Sequence, residues 1–213
     1  MSPLVVLSRD DNPFSRHVIA FVAHPDDEVL GVGGTLARHV ALGDRVTVHI
    51  AGICRSTSDA EWTAVANTLG VSCRRWHEPE HAIWQREASL VIELDPPTIV
   101  YTHHGGDINA DHRALHEAVM VACRPYAAPS VKSIRTFHTP SSTEWGHGFT
   151  PTLYVDISDH IDAKLAAMAL YESELRPEPH PRSLEYLKAQ AMTWGAAAGF
   201  RYAEAFQVER DRW

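Results

Sequence analysis

The chain has 213 residues, 45% hydrophobic and 22% charged, with a formal net charge of −8. That length suffices for one full core and the composition is that of an ordinary globular protein, so residues 1–213 are expected to form a single domain. The acidic balance, with no block of Lys or Arg against it, excludes a polyanionic partner, and no nucleic-acid binding is expected.

In chain order, the apolar run Pro3 to Leu7 is closed by Arg9, Asp10 and Asp11. It is too short for a signal sequence, and no later stretch reaches spanning length, so the expected protein is cytoplasmic with no membrane span. Val18 to Val22 is short, β-branched and apolar, as a buried parallel strand should be. Leu30 to Leu42 reads as a helix closed by Gly43, and Arg45 to Ala51 as a second strand. Ser58-Asp59-Ala60-Glu61 has capping-box spacing, which predicts a helix to Leu69 ended by Gly70. A strand over Val71 to Trp76 and a helix over Ile83 to Leu94 follow. Thr98 to Thr102 is another strand, broken by Gly105-Gly106, and Asp111 to Arg124 is an amphipathic helix. Strands over Val131 to Phe137 and Thr152 to Ile157, then helices over Asp159 to Leu175 and Ser183 to Ala198, complete the pattern. Alternation of this kind predicts an α/β, Rossmann-like domain: a mostly parallel sheet with helices on both faces.

The chemistry concentrates after two of these strands. Ala23-His24-Pro25-Asp26-Asp27-Glu28 follows the first, and ligands of open α/β sheets collect beyond the carboxyl ends of their strands. His24 and Asp27, with one ligand from elsewhere, would hold a catalytic zinc with an open position for water. A second polar cluster, His103 to His112, follows the strand at Thr98 to Thr102. If both strands are central, their exits are neighbours, and His112, at a helix start, is the best third ligand. The cysteines Cys54, Cys73 and Cys123 are odd in number and scattered, so neither a disulfide framework nor a thiolate site is expected. Gly31, Gly33 and Gly34 fail as a dinucleotide fingerprint because position 36 is leucine; they are expected to let the helix start approach the metal loop.

The motifs AHPDDE (Ala23 to Glu28), DINADH (Asp107 to His112), PSSTEW (Pro140 to Trp145), PHPRS (Pro179 to Ser183) and AEAF (Ala203 to Phe206) run in order along nearly the whole chain. In them the sequence resembles the PIG-L/LmbE-like family of zinc-dependent deacetylases of amino sugars. The resemblance implies metal ligands at His24, Asp27 and His112 and a general base at Asp26. It implies one zinc or comparable divalent transition ion per chain, and an N-acylated amino-sugar substrate. Asp26 would take a proton from the bound water and pass it to the leaving amine. Glu28 is expected to orient His24.

The sequence departs from the resemblance at Asn109, where many members carry a histidine three residues before the metal histidine. An Asn amide donates a hydrogen bond but shuttles no proton. Either Asp26 performs all proton transfer, or His103, His104, His138 or His180 reaches in. Arg55, His180 and Arg182 are candidate polar contacts for substrate, and Trp84 and Trp145 candidate stacking platforms for a sugar face. A glycosidase using Asp26 and Asp27 is disfavoured, because its two carboxyls must flank one bond about 5–9 Å apart. The non-enzymatic alternative is a Rossmann-like protein that binds a nucleotide or sugar without turnover. A homo-oligomer is compatible with the sequence but not specified by it.

Overall fold

The computed structural model describes residues 16–52, 57–76 and 81–212. Its frame is one seven-stranded sheet: β1 (His17–Val22), β2 (Arg45–Ile50), β3 (Ser72–Arg75), β4 (Ile99–His103), β5 (Ser133–Phe137), β6 (Leu153–Asp156) and β7 (Ala203–Asp211). The spatial order is β3-β2-β1-β4-β5-β7-β6. β1 to β5 are mutually parallel, while β7 runs antiparallel between β5 and β6. The expected α/β architecture is therefore present.

Among the described residues the α-helices are α1 (Asp27–Ala41), α2 (Asp59–Leu69), α3 (His81–Leu94), α4 (Ala110–Ala122), α5 (Ile161–Ala169) and α6 (Leu184–Ala198). β1 shows why both sheet faces are covered. Ile19 and Phe21 point to one side, packing with Trp84 and Ala88 of α3 and Leu115 and Val119 of α4. Val18, Ala20 and Val22 point to the other, packing with Val32 and Leu36 of α1. Burial of one such large side chain is worth about 1.5–3 kcal/mol. α2, α5 and α6 join α1 through a cluster around Val29, Leu69, Met168 and Leu187. Among the described residues no helix is long and apolar enough to cross a membrane.

Local rules account for most boundaries. The Ser58 capping box forms as predicted, and Gly70 closes α2 at φ 72°. α1 starts at Asp27, three residues before the expected Leu30, because Asp27 and Glu28 supply the acidic first turn a helix dipole favours. α5 stops at Ala169 rather than Leu175, and the chain turns so that Tyr171 reaches inward to Glu28. Gly31 and Gly34 serve a different contact from the one expected. A Cβ at Gly31 would lie 2.2 Å from the Phe137 ring, and one at Gly34 would lie 2.7 Å from Ile157. They bring α1 down onto the β5 and β6 ends of the sheet, not onto the metal loop.

Candidate metal centre

β1 and β4 are hydrogen-bonded neighbours, and the strand order reverses direction between them. Their carboxyl ends open into the crevice that such a reversal creates. β1 delivers His24 and the start of α1; β4 delivers the loop leading to α4, whose first turn holds His112. His24 Nδ1 and His112 Nε2 each lie 3.4 Å from Asp27 Oδ2. One ligand atom from each of the three residues falls within 4.8 Å of the others.

Those gaps fit a shared cation better than hydrogen bonds. Tetrahedral bonds of about 2.0–2.2 Å put neighbouring ligand atoms roughly 3.3–3.6 Å apart. His112 is 2% exposed, yet its Nε2 has no hydrogen-bond partner. Each imidazole is also backed by a carboxylate, as metal-ligating histidines usually are. His24 Nε2 donates to Asp111 Oδ2 at 2.8 Å, and His112 Nδ1 lies 3.2 Å from Asp107 Oδ2. The donor set, two imidazoles and a carboxylate, suits zinc and other divalent transition ions.

The electrostatics follow from crowding without a cation. Burial alone would lower both imidazoles, but the hydrogen bond and charge of Asp27 outweigh it and raise His24 to about 9. Burial is likewise overcome at His112, where Asp27 and Asp107 together raise the ring to about 10. Asp27 itself is held well below its ordinary value, the charge on His112 overcoming burial. At Asp107 burial is opposed by His112, Thr143 and the Asn109 backbone, which bring the carboxyl down to about 2.

Asp26 occupies the N-cap position of α1 with φ 104°, a left-handed conformation costly for a non-glycine residue. Its carboxyl is 2% exposed, and Oδ2 lacks a hydrogen-bond partner. Burial and the neighbouring Asp27 charge push this carboxyl well up, while Arg182, 3.3 Å from Oδ2, pulls it down. Glu28 does not orient His24. Its Oε2 accepts from the Asp26 backbone N–H at 3.1 Å, and Oε1 accepts from the Tyr171 hydroxyl, so it fixes Asp26 instead. Burial holds Glu28 up at about 7, against the Tyr171 bond.

Other expected residues distribute unevenly. Asn109 is the N-cap of α4, its side-chain oxygen accepting from Asp111 N–H at 2.9 Å. Arg182 donates through NH1 to Glu174 at 2.6 Å and through Nε to Ser141 Oγ at 3.1 Å. His180 is exposed, with Nδ1 accepting from the Arg182 backbone N–H. Trp145 stands 60% exposed on the 3₁₀ turn Thr143–Trp145. Trp84 is a correction: it is 1% exposed, packed beside Trp76 in the core, and offers no face to a sugar. Its position on the inner face of α3 explains the difference. Arg55 lies outside the described residues, as do the apolar run Pro3 to Leu7 and Cys54.

Of the four histidines considered for proton transfer, His103 comes nearest the ligands. Its ring stacks on His112 with centroids 3.8 Å apart, and Nε2 accepts from the Ala23 backbone N–H at 3.0 Å. Nδ1 then carries the proton and meets Thr139 Oγ1. Burial, then the charge on His112, lower this ring to about 4, so it is a neutral floor under the site. His104 is bound to the His147 carbonyl, and His138 packs against Phe149 and Trp194.

The sequence reading missed Asp107 and Asp111 as supporting groups. Asp107 gathers Ser142 Oγ at 2.9 Å, Thr143 Oγ1 at 2.6 Å and the Asn109 backbone N–H at 2.7 Å, which gives the PSSTEW turn its purpose. A usable signal was present: both acids precede His112 within five residues, and a ligating imidazole needs a carboxylate behind it.

Residues 19–123 match the family model described as "PIG-L: GlcNAc-PI de-N-acetylase". The chain is 23% identical to a diacetylchitobiose deacetylase of Thermococcus kodakarensis, over 92% of this chain and 85% of that protein. The crystal structure of the conserved protein TT1542 from Thermus thermophilus is similar with a TM-score of 0.76 and 25% identity, covering 90% of this chain and 93% of that one. A 4-carboxy-2-hydroxymuconate hydratase from Pseudomonas putida shares the fold, with a TM-score of 0.71 and 20% identity over 93% of this chain and 98% of that one.

Proposed function

We propose that this chain, which belongs to the PIG-L/LmbE-like family of amino-sugar deacetylases, is a zinc-dependent amidohydrolase removing an acetyl or similar small acyl group from an amino-sugar substrate. The observation carrying this reading is the pair of open atoms at the rim. His112 Nε2 and Asp26 Oδ2 are buried without a hydrogen bond, their charged neighbours Asp27 and Arg182 standing off at 3.4 and 3.3 Å; the first is suited to a cation and the second to a proton.

His24, Asp27 and His112 would hold the ion, with Asp111 and Asp107 fixing the two rings. When bound, zinc supplies Lewis acidity toward the scissile carbonyl and makes water nucleophilic near neutral pH. Asp26 takes the proton from the attacking water and gives it to the departing amine, one carboxyl acting first as base and then as acid. Its raised affinity for a proton, from burial and Asp27, lets it hold that proton between the two events. Glu28 and Tyr171 anchor its backbone, and Arg182 limits its travel. Asn109, its oxygen occupied as a helix cap, keeps its amide N–H groups as donors for the developing oxyanion. Trp145 and His180 supply outer contacts to the sugar.

The fold by itself does not select this chemistry, since a hydratase shares it. Family membership and the deacetylase relative favour attack on an amide carbonyl. The test is acetate release by the zinc-reconstituted protein from N-acetylglucosamine and N,N'-diacetylchitobiose. The reading expects release that stops on chelation and returns with zinc. Release that persists in excess chelator, or none from any N-acetylated amino sugar tried, contradicts it.

A further inference from the structure

Beside the carboxyl-terminal half of α1, away from Asp27, lies a cavity of about 360 Å³. α1 has 15 residues, so at 1.5 Å per residue the two ends lie roughly 22 Å apart. Arg16, Arg38, Arg135 and Thr35 contribute to its lining, as do Leu42 and Phe200. Leu42 is 56% and Phe200 40% exposed, so the rim keeps an open apolar flank.

The three cations differ. Arg16 is neutralised by Asp44, with NH2 3.0 Å from Oδ2 and the backbone N–H donating to Oδ1. Arg38 NH1 donates to the Asp156 carbonyl at 3.0 Å, and the carboxylate of Asp156, held by Ser158, partly offsets it from the same wall. Arg135 has only neutral partners among the described residues: Nε donates to Ser133 Oγ at 3.0 Å and NH1 to the Tyr101 hydroxyl at 2.8 Å. The chain continues from Tyr101 to His39 Nε2 at 3.0 Å and from His39 Nδ1 to Asp44 at 2.6 Å. One set of proton positions satisfies it: neutral His39 protonated on Nδ1, with Tyr101 donating to Nε2. Burial favours that neutral form. The Arg135 guanidinium is thus fixed with its NH2 edge unbonded, and the Thr35 hydroxyl is buried with no partner.

We propose that this cavity binds a small organic anion, a carboxylate or phosphate monoester with an apolar body. The anion meets the NH2 edge of Arg135, Arg38 and the Thr35 hydroxyl; the body lies against Leu42 and Phe200. An unpaired cation and an unpaired buried hydroxyl cost free energy that an anion recovers, and a rigid guanidinium edge matches two anionic oxygens. The inference is independent of the deacetylase reading.

Calorimetric titration of the full-length, zinc-loaded protein with phenyl phosphate and with benzoate tests it, with inorganic phosphate as the control lacking a body. Saturable binding of at least one aromatic anion is expected, weakened on the order of tenfold or more by Arg135→Gln, with acetate release unchanged. Arg38→Gln gives a second variant should Arg135→Gln lower the melting temperature, because Arg38 NH1 donates to the Asp156 backbone carbonyl. No binding by the unmodified protein at millimolar ligand overturns the proposal. So does binding that survives both substitutions and vanishes in His112→Ala, which places the anion at the catalytic rim. Equal affinity for inorganic phosphate overturns the apolar half.

Discussion

Two clusters of buried charge lie along α1, and they are finished differently. At one, Lys164 and Glu204 are 2% and 0% exposed and form an ion pair. Lys164 also donates to the Leu30 carbonyl at 2.9 Å, while Glu204 accepts from Gly34 and Thr35 backbone N–H groups at 3.0 and 2.7 Å. This cluster closes on itself and pins α5 and β7 to α1. At the other, His24, Asp27 and His112 crowd together, yet His112 Nε2 and Asp26 Oδ2 carry no hydrogen bond, with Asp27 and Arg182 standing off at 3.4 and 3.3 Å. A buried polar atom left unpaired costs about 1–3 kcal/mol, and Asp26 adds backbone strain of about the same size. A satisfied cluster holds the fold; the unsatisfied one on the same helix is the one proposed to take a metal ion.

The contrast can be broken most sharply at His112. His112→Ala is expected to lose zinc occupancy and acetate release together, read by elemental analysis and assay, whereas full occupancy would move the third ligand elsewhere. Asp26→Asn should keep the metal but lower turnover by about 10²–10⁴-fold, the usual range for a lost acid–base group. A variant with wild-type turnover would remove Asp26 from proton transfer.

Proton linkage gives the next effect. In the metal-free protein His24 and His112 are raised to about 9 and about 10, so both are protonated at neutral pH, and zinc must displace both protons. Zinc affinity should therefore rise about a hundredfold per pH unit below pH 9, with proton release measurable in two buffers of different ionisation heat. The sign for stability is opposite. Raised imidazoles stabilise the metal-free fold fully below their unfolded value of about 6.5, and that contribution fades as pH climbs through 9 and 10. A pH-independent zinc affinity would contradict the Asp27-centred electrostatics.

Asp111→Asn sharpens the role of the backing carboxylate: zinc affinity should fall about 10–100-fold with the fold intact. At the closed cluster, Lys164→Met should destabilise the protein by about 3–5 kcal/mol, because it strands Glu204 in the interior. Zinc content and turnover per folded molecule should barely move. A catalytic loss larger than the folded-fraction loss would erase the distinction between the clusters.

Sequence pattern revealed the parallel half of the sheet because β1 reads as a nearly continuous apolar run and β2 and β4 are short, buried and rich in β-branched residues. It did not reveal β7. Glu204 interrupts the apolar pattern there, and the distant Lys164, Gly34 and Thr35 make a buried glutamate acceptable. The three candidate metal ligands were legible because they sit at strand exits, where topology alone brings β1 beside β4. The roles of Asp107, Asp111 and Glu28 were not, since each depends on partners between 30 and 143 residues away or on the path of a turn. Trp84 misled for a related reason: α3 turns that indole inward beside Trp76, and helical spacing by itself did not fix which face met the sheet.

The central claim is that segments 88 positions apart in the chain, at His24 and His112, grip one ion. An anomalous difference map from crystals of zinc-loaded protein, recorded at the zinc edge, tests it directly. The account predicts one strong peak among the His24 and His112 rings and the Asp27 carboxylate; a zinc-loaded crystal with its peak elsewhere, or with none, contradicts it.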